Sequence, residues 1–487
     1  MKMLLIIILT NISIVTFGNN LIITNVVDSG EYARRTISFN VSWENSWRLN
    51  MGSLNHDAIW IFIKYSECAA NKWTHANLND TLSRHKTITP LELYMDGKNS
   101  KGIFLRRNGN APAVFPYNQD DYGIGGGNVV NKIVKISIVG LNNGKMNFKV
   151  FGIEMVYIPT SAFYLGDGAT TNRFQTGNTG DPFYVTSENA ITVANDALST
   201  SLYTSGGCTP PIGANVIPAL YPKGYKAFYC MKYEITQGQY ADFLNTLTDD
   251  QCINRYYTAS ASNRYSLNGT WPNITASMPY LAMNRMGWAD LCAYLDWSAL
   301  RPMTEMEFEK ACRGDQIPIP YERAWGTSLN VYASTLVNAS LFNEYVSDVI
   351  AAGQGIINSS EAAQAGPLRV GFAATNATNR QQAGATYYGV MEMSGNISEL
   401  CINACTADGL LYTGIPGDGT LSETPNPGFA DVTNWPNVTI NAGTADGVRI
   451  RGGSTGHFAA HGSISMRIYV ATYNIQREWW NGGRGVR

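Results

Sequence analysis

The stretch RPMTEMEFEKACRG, residues 301–314, has the features of one short helix at both of its ends. Thr304 stands before the apolar run and Glu307 follows three residues later, which is the spacing of a capping box. Gly314 stands where many helices end, because glycine adopts the left-handed conformation without a Cβ penalty. The stretch therefore predicts a helix that begins after Thr304 and ends at Gly314.

Two further short helices are predicted upstream of this stretch. In TQGQYADFLNTLT (236–248), Thr236 and Gln239 form a second capping box, and the apolar residues Tyr240, Phe243, Leu244 and Leu247 fall on one helical face. GWADLCAYLDW (287–297) repeats the period through Trp288, Leu291, Cys292 and Leu295. Residues 160–225 and 405–450 are rich in Gly, Thr and Asn and are predicted to be long loops.

The first 150 residues have a β pattern instead. TISFNVSW (36–43) alternates apolar and polar residues, as a half-buried strand does. AIWIFIKY (58–65) is almost wholly apolar, which predicts a central strand, and two similar runs follow at 132–141 and 146–158. Since no helical period is present here, an antiparallel β-sandwich is predicted for residues 19–150.

Length and composition limit the classes of protein to consider. The chain has 487 residues, of which 15% are charged, and a formal net charge of −2. So long a chain predicts two domains, here divided at 150/151. Because no basic field is present, neither nucleic acid nor an anionic membrane surface is expected as a partner.

The N-terminus, MKMLLIIILTNISIVTFGNN, resembles a secretory signal. A signal peptide is therefore predicted at 1–18, and the mature protein is expected to be secreted or at the cell surface, without membrane insertion. In an exported protein some of the eight cysteines can pair. Buried thiols are predicted for Cys292 and Cys312, and the disulfide candidates are Cys208, Cys230, Cys252, Cys401 and Cys405.

Five motifs, in order, resemble one family. They are EMVYIPTSAFYLGDG (154–168), YCMKYEITQGQYADFLN (229–245), the stretch 301–314, YYGVMEMSGNISELC (387–401) and the tail with RGGS (451–454) and GGRGVR (482–487). Together they resemble the formylglycine-generating-enzyme, or sulfatase-modifying, superfamily over residues 151–487. The resemblance implies a loop-rich variant of the C-type-lectin fold for this part, and so an α+β domain after the β-sandwich.

The resemblance also indicates what chemistry to expect. In the oxidases of the family two cysteines after RGGS bind copper, and they would fall at His457 and Gly462 of this chain. A thiolate is the soft ligand that selects monovalent copper, so that chemistry is not expected here. The iron enzymes of the family need an H-x-x-x-H-x-E set that this chain lacks. Neither copper nor iron, and no catalytic residue, is therefore expected.

The tail is also similar to the variable proteins of diversity-generating retroelements, which are non-catalytic members of the family. Such proteins keep a fixed frame, here Arg451 to Ser454, Arg467, Arg477, Gly482 to Arg484 and Arg487. The residues between the frame positions are predicted to bind a ligand, since aromatic and small polar side chains suit recognition. They are Thr455, His457, Phe458, His461, Met466, Tyr469, Tyr473, Asn474, Gln476, Glu478, Trp479, Trp480 and Asn481.

Two metal sites are considered. His457 and His461 have the spacing of a helical zinc pair, but Phe458 replaces the usual glutamate and the preceding Gly-Gly-Ser-Thr-Gly favours a loop. The family resemblance implies calcium at Glu392, Gly395, Ile397 and Glu399, whose oxygen ligands would suit that ion. A structural role for Glu399, hydrogen-bonded to loop amides, is the equal alternative.

The sequence as a whole predicts an exported display protein that is not an enzyme. Its partner would be a protein or glycan on a cell or virion surface, bound through the C-terminal segment 451–487. The sequence is also compatible with a homo-oligomer. Two alternatives stay open. One is a metal-dependent oxidoreductase of the formylglycine-generating type with an altered active site, and the other is a structural or filament subunit joined through sheet edges.

Overall fold

A computed structural model gives the structure of most of the chain. It describes residues 20–31, 34–67, 72–109, 123–141, 144–205, 216–258, 262–375, 377, 379–439, 444–467, 472–474 and 476–487. The predicted signal peptide 1–18 lies outside these ranges. None of the helices in the described ranges has both the length and the hydropathy that a bilayer span requires.

Strands outnumber helices along the described chain. In the first 158 residues they are β1 (Ile22–Glu31), β2 (Arg34–Leu49), β3 (Asp57–Glu67), β4 (Thr74–His75), β5 (Asn77–Leu78), β6 (Lys86–Thr87), β7 (Leu91–Tyr94), β8 (Ile103–Arg107), β9 (Gly123–Val139) and β10 (Met146–Ile158). A 3₁₀ turn at Leu82–Arg84 lies between β5 and β6.

The described residues after 158 form shorter strands and five helices. They are β11 (Phe163–Leu165), β12 (Phe174–Thr176), β13 (Phe183–Val185), β14 (Ile191–Val193), β15 (Ser201–Thr204), β16 (Val216–Ile217), β17 (Phe228–Met231), α1 (Gln237–Leu244), α2 (Asp249–Arg255), β18 (Leu267–Asn268), β19 (Thr275–Ala276), α3 (Trp288–Trp297), β20 (Arg301–Pro302), α4 (Glu305–Arg313), β21 (Asn330–Tyr332), β22 (Leu336–Val337), β23 (Tyr345–Val346), β24 (Gly355–Ile357), β25 (Ser398–Ile402), α5 (Ala407–Leu410), β26 (Thr444–Asp446), β27 (Val448–Arg451), β28 (Thr472–Asn474), β29 (Asn481–Gly482) and β30 (Gly485–Val486). The predicted strand-rich fold class, with few and short helices, is confirmed.

Two sheets pack face to face in the first part of the chain. One has the order β1-β2-β9-β5, with β6 also on β9, and the other has the order β20-β30-β17-β10-β3-β8-β7, with β4 on β3. Alternate residues of β2, such as Ile37, Phe39 and Val41, fill the space between the sheets together with Ile59 and Ile61 of β3. This is the sandwich core that the alternation in 36–43 predicts.

β3 is apolar on both faces because both of its faces are covered. Ile59 and Ile61 point into the sandwich, whereas Trp60 and Phe62 belong to a second core shared with α1 and α3. The second sheet thus extends from N-terminal strands to β30 at the end of the chain. The predicted boundary at 150/151 lies inside β10, and the division into two domains stays a prediction.

The three predicted helices are present, but α1 ends at Leu244 and so leaves Leu247 outside it. Thr236 and Gln239 cap α1, and Thr304 and Glu307 cap α4, each as a reciprocal capping box. Gly314 follows α4 with φ of +69°. The predicted loop 160–225 is corrected, because it contains the strands β11 to β16, which have only two to four residues each and are too short to give a visible period. The predicted loop 405–450 is corrected as well, because it contains α5, β26 and most of β27.

The cysteine predictions are confirmed in part. Cys292 and Cys312 are buried thiols, as predicted. Cys230, Cys252 and Cys401 are also free and buried, so their prediction as disulfide candidates is wrong; each lies in a packed core, where the thiol acts as a small apolar group. For Cys405 the disulfide prediction stands, and Cys208 lies outside the described residues.

Candidate functional site

The C-terminal segment is held in place by five arginines that pair with carboxylates from distant parts of the chain; four of them are buried and Arg477 is half-buried. These are the frame positions of the tail. The ion pairs are Arg451 with Glu305 and Glu309, at 3.0 and 2.7 Å, Arg467 with Glu305 at 2.7 Å, Arg477 with Asp290 at 2.7 Å, Arg484 with Glu399 at 2.9 Å and Arg487 with Asp96 at 2.6 Å. Each frame arginine therefore fixes one point of the segment to the scaffold.

Helix α4 supplies the carboxylate that faces the largest number of these arginines. Its first residue, Glu305, is completely buried and faces Arg449, Arg451 and Arg467. Burial raises the pKa of Glu305, but Arg467, Arg449 and Arg451 outweigh burial and hold that pKa well below its usual value. The carboxylate therefore stays ionised, and α4 anchors both β27 and the chain around Arg467.

Gly452 and Gly453 let the chain turn tightly after β27. Both have left-handed φ angles, of +81° and +69°. A Cβ on Gly452 would lie 2.5 Å from Glu399 Oε2, and one on Gly453 would lie 2.9 Å from the backbone nitrogen of Gly462. The turn therefore requires glycine at both positions, since any side chain would meet a buried carboxylate or the backbone.

The predicted ligand-binding residues differ in exposure. Phe458 is 66% exposed, and Gln476 is also exposed. Those that are half-buried are His461, Met466, Glu478, Trp479 and Trp480. The buried ones are Thr455, His457 and Asn481. Tyr469 and the side chains of Tyr473 and Asn474 lie outside the description, although Tyr473 and Asn474 belong to β28.

Two of the buried residues form hydrogen bonds inside the protein, Thr455 to the scaffold and Asn481 within the C-terminal segment. Thr455 Oγ1 donates to the carbonyl of Gln364 at 3.1 Å and accepts from the backbone of Gly366 at 3.0 Å. Asn481 Nδ2 donates to the carbonyl of Gln476 at 3.1 Å. These side chains therefore shape the segment from inside, and the surface of the segment is formed by its exposed and half-buried neighbours.

His457 and His461 do not share the face of an α-helix. A 3₁₀ turn covers Ala459–Gly462, and the two imidazole rings are 5.6 Å apart between centroids. Ser454 Oγ and His457 Nδ1 are hydrogen-bonded at 2.6 Å, and the ring of Trp480 meets His457 edge-on. Burial, with a smaller effect of His461, lowers the pKa of His457 to about 4, so this imidazole is neutral at physiological pH.

A group of buried glutamates lies beneath this surface. Glu399 uses Oε1 to accept from Arg484, while its Oε2 has no hydrogen-bond partner among the described residues. Glu392 accepts from Gly371 through Oε1, and its Oε2 is likewise buried without a partner there. Burial raises the pKa of both carboxyls to about 7. Each such oxygen can be satisfied by a proton or by a hard cation.

A nearby glutamate organises the loop that carries these groups. Glu234 accepts from the backbone of Ile397 at 3.0 Å and from Asn396 Nδ2 at 2.5 Å. It therefore holds the Gly395–Ile397 turn in position and leaves Glu392 and Glu399 with the two unpaired oxygens. Burial raises the pKa of Glu234 well above its usual value. The sequence motif located Glu392 and Glu399 but missed Glu234, which lies in the family's second motif.

One further acidic cluster was not predicted from sequence. Carboxylate oxygens of Asp296, Asp418 and Asp431 lie within 4.8 Å of one another, and this is the sole such set of three that the described ranges hold. Burial, then Asp418, raises the pKa of Asp296 to about 8. No sequence signal could have found it, because α3 supplies one residue and the long loop after α5 supplies the other two.

Comparison with known proteins gives one match. A family described as the sulfatase-modifying factor enzyme 1-like domain matches residues 214–473, more than half of the chain. The matched range contains α1 to α5, the buried glutamates and the C-terminal segment as far as residue 473, which includes Phe458, His461 and Met466. No curated protein matches the chain.

Proposed function

Because this chain belongs to the sulfatase-modifying factor enzyme 1-like family, we propose that it is an exported, non-catalytic member that binds a protein or glycan on a cell or virion surface. The binding surface, called the display surface below, consists of Phe458, His461, Met466, Gln476, Glu478, Trp479 and Trp480. The resemblance to variable proteins of diversity-generating retroelements belongs to the same proposal.

One observation carries this proposal. Along the tail, the frame arginines are paired with carboxylates and all but the half-buried Arg477 are buried, whereas the display surface is formed by residues that lie between them. A segment whose backbone is fixed from below can change its outward side chains without loss of the fold. That separation is what a recognition surface needs, because rigid aromatic anchors lose little entropy on binding.

The position of the histidine pair agrees with a non-catalytic role. By the family resemblance, His457 stands where one copper-binding cysteine would be, and no cysteine follows Cys405 in the chain. His457 bonds to Ser454 and contacts Trp480, so it supports the display surface from below. Trp480 contacts Trp479 edge-on, with 5.3 Å between ring centroids, and the two rings form an aromatic ridge beside the histidine.

Replacing Phe458 and Trp479 together with Ala is expected to weaken ligand binding by about a hundredfold or more, since aromatic anchors dominate interface energies. Binding would be measured with the full chain on a glycan array and on a displayed library of extracellular protein domains. The melting temperature should change little, because Phe458 is mostly exposed and Trp479 is half-buried.

The matched control is Phe342→Ala. Phe342 is also an exposed phenylalanine, at 55%, but it lies outside the display surface. The control should bind as the unaltered chain does. Equal binding by the double variant, or no saturable ligand in either library, would refute the proposed function.

We also propose that Glu392 and Glu399, with the carbonyl groups of Gly395 and Ile397, hold calcium. The two unpaired carboxylate oxygens beneath the display surface support this, since each is costly to bury without a partner. Calcium there would neutralise the glutamates and fix the turn beside Gly452.

Calcium is expected to raise the melting temperature of the EDTA-treated chain. At a hundredfold excess over the dissociation constant, binding adds about 2.7 kcal/mol of stability. Glu399→Gln should remove the calcium-induced shift. Glu154→Gln is the control, because Glu154 is also buried with an unpaired oxygen but lies in β10, and it should keep the shift. The same shift in Glu399→Gln would place any calcium elsewhere.

A further inference from the structure

A pocket of about 450 Å³ opens at the side of the N-terminal sheets, apart from the display surface. Its wall includes Arg48 at the end of β2, Arg106 of β8, His56, Tyr94 and Tyr157. The remaining lining residues are apolar or amide side chains, and none of the lining residues is acidic. The pocket therefore presents two guanidinium groups and two phenol rings to whatever enters it.

The charge of this wall is positive. Glu92 is the carboxylate that pairs with both arginines: its Oε1 accepts from Arg48 Nη1 and from Arg106 Nε, each at 2.8 Å. Glu92 itself does not line the pocket. Burial raises the pKa of Glu92, but Arg48 and Arg106 outweigh burial and lower it, so the group is ionised. Two cations against one anion leave one unit of positive charge.

Both arginines keep hydrogen-bond donors available. Arg48 Nη1 also donates to the carbonyl of Arg107, and Arg106 Nη1 donates to the Tyr229 hydroxyl at 3.2 Å. Among the described residues, Nη2 of Arg48 and of Arg106 has no hydrogen-bond partner. Neither side chain is fully buried, since 23% of Arg48 and 17% of Arg106 is exposed. Guanidinium donors in this state suit the oxygens of a carboxylate or a phosphate.

The rings of the pocket are held in place by stacking. Tyr157 stacks on His56 with 4.7 Å between ring centroids, and the Arg106 guanidinium lies 4.4 Å from the centroid of Tyr94. Burial, then Arg106 and Arg48, lowers the pKa of His56 to about 3, so His56 is neutral and adds no charge. The fixed phenol rings provide flat contact area beside the arginines.

We propose that this pocket binds a small ligand that carries one carboxylate or phosphate group beside a flat ring. The oxyanion would accept from Nη2 of Arg48 and Arg106, and the ring would lie against Tyr94 and Tyr157. The site is independent of the display surface, so either proposal can fail without the other.

Calorimetric titration of the full chain with benzoate, acetate and inorganic phosphate tests this. Benzoate is expected to bind saturably at millimolar concentration and more tightly than acetate, because only benzoate has a ring. Phosphate binding would show that the oxyanion alone suffices, and added salt should weaken all three. Arg48→Met and Arg106→Met should each weaken benzoate about tenfold or more.

Two further variants separate this site from a loss of folding. Glu92→Gln adds one unit of net positive charge and should tighten binding about threefold, which misfolding cannot imitate. Arg84→Met removes an exposed arginine away from the pocket and should change nothing. The proposal is overturned if none of the three anions binds, or if Arg48→Met and Glu92→Gln bind benzoate as the unaltered chain does.

Discussion

Replacing Glu305 with Gln is expected to lower the free energy of unfolding by about 4 kcal/mol, which is at the high end for one substitution. Glu305 is completely buried and faces Arg449, Arg451 and Arg467. An amide keeps the shape of the side chain but removes its charge. Arg449 and Arg467 would then lose the one carboxylate that they pair with among the described residues, and Arg451 would keep Glu309. Equilibrium urea unfolding, followed by tryptophan fluorescence, measures the change.

A graded variant and a control make this result specific. Arg467 donates to both oxygens of Glu305, through Nε at 2.7 Å and Nη2 at 2.8 Å. Arg467→Lys keeps the charge but cannot form this paired contact, so it should cost about 1–3 kcal/mol, less than Glu305→Gln. Glu423→Gln breaks an exposed pair with Lys72 and should not change stability measurably. Equal losses in Glu305→Gln and Glu423→Gln would show that the buried network does not hold the tail.

Gly452→Ala is expected to have the second large effect, lowering the free energy of unfolding by about 3 kcal/mol or more. The new methyl group would lie 2.5 Å from Glu399 Oε2 and 3.0 Å from the carbonyl oxygen of Met393, and neither group can move freely inside the core. The left-handed φ of +81° adds about 1 kcal/mol for any residue with a Cβ.

Gly140→Ala isolates the backbone contribution. Gly140 has a similar φ of +77°, but a Cβ there would meet nothing within 4 Å. Gly140→Ala should therefore lower the free energy of unfolding by about 1 kcal/mol. The difference between the two variants is the cost of the contacts with Glu399 and Met393. If both variants lose the same amount in urea unfolding, the carboxylate is not fixed beneath the turn and the description of that cluster is wrong.

Local sequence signals were enough to locate α1, α3 and α4, whereas α2 and α5 were not predicted. The capping residues of α1 and α4 act within four residues along the chain, and the structure has both capping boxes. The alternation in TISFNVSW likewise predicted which side chains of β2 share a face, and Ile37, Phe39 and Val41 are all buried in the sandwich. The family motifs were readable for the same reason, since each is one short turn or cap whose geometry needs particular residues.

Local sequence signals do not show which segments of the chain cover each face of a strand. AIWIFIKY predicted a central strand, but the sequence could not show that Trp60 and Phe62 pack beside α1 and α3. Nor could it show that β30 joins a sheet with N-terminal strands. The region 160–225, which was predicted to be a loop, contains short strands. Each has only two to four residues, so its sequence has no detectable period.

The candidate site divides in the same way. From the sequence alone, the tail could be separated into frame residues and intervening residues, because arginines and glycines recur along it. Only the tertiary structure decided that each frame arginine meets a carboxylate that is fully or mostly buried, with partners as distant as Asp96 for Arg487. It also decided that Thr455 and Asn481 are buried while Phe458 is exposed. The physical reason is that helix caps and strand alternation depend on neighbours in the chain, whereas burial and ion pairing depend on which distant segments are folded against one another.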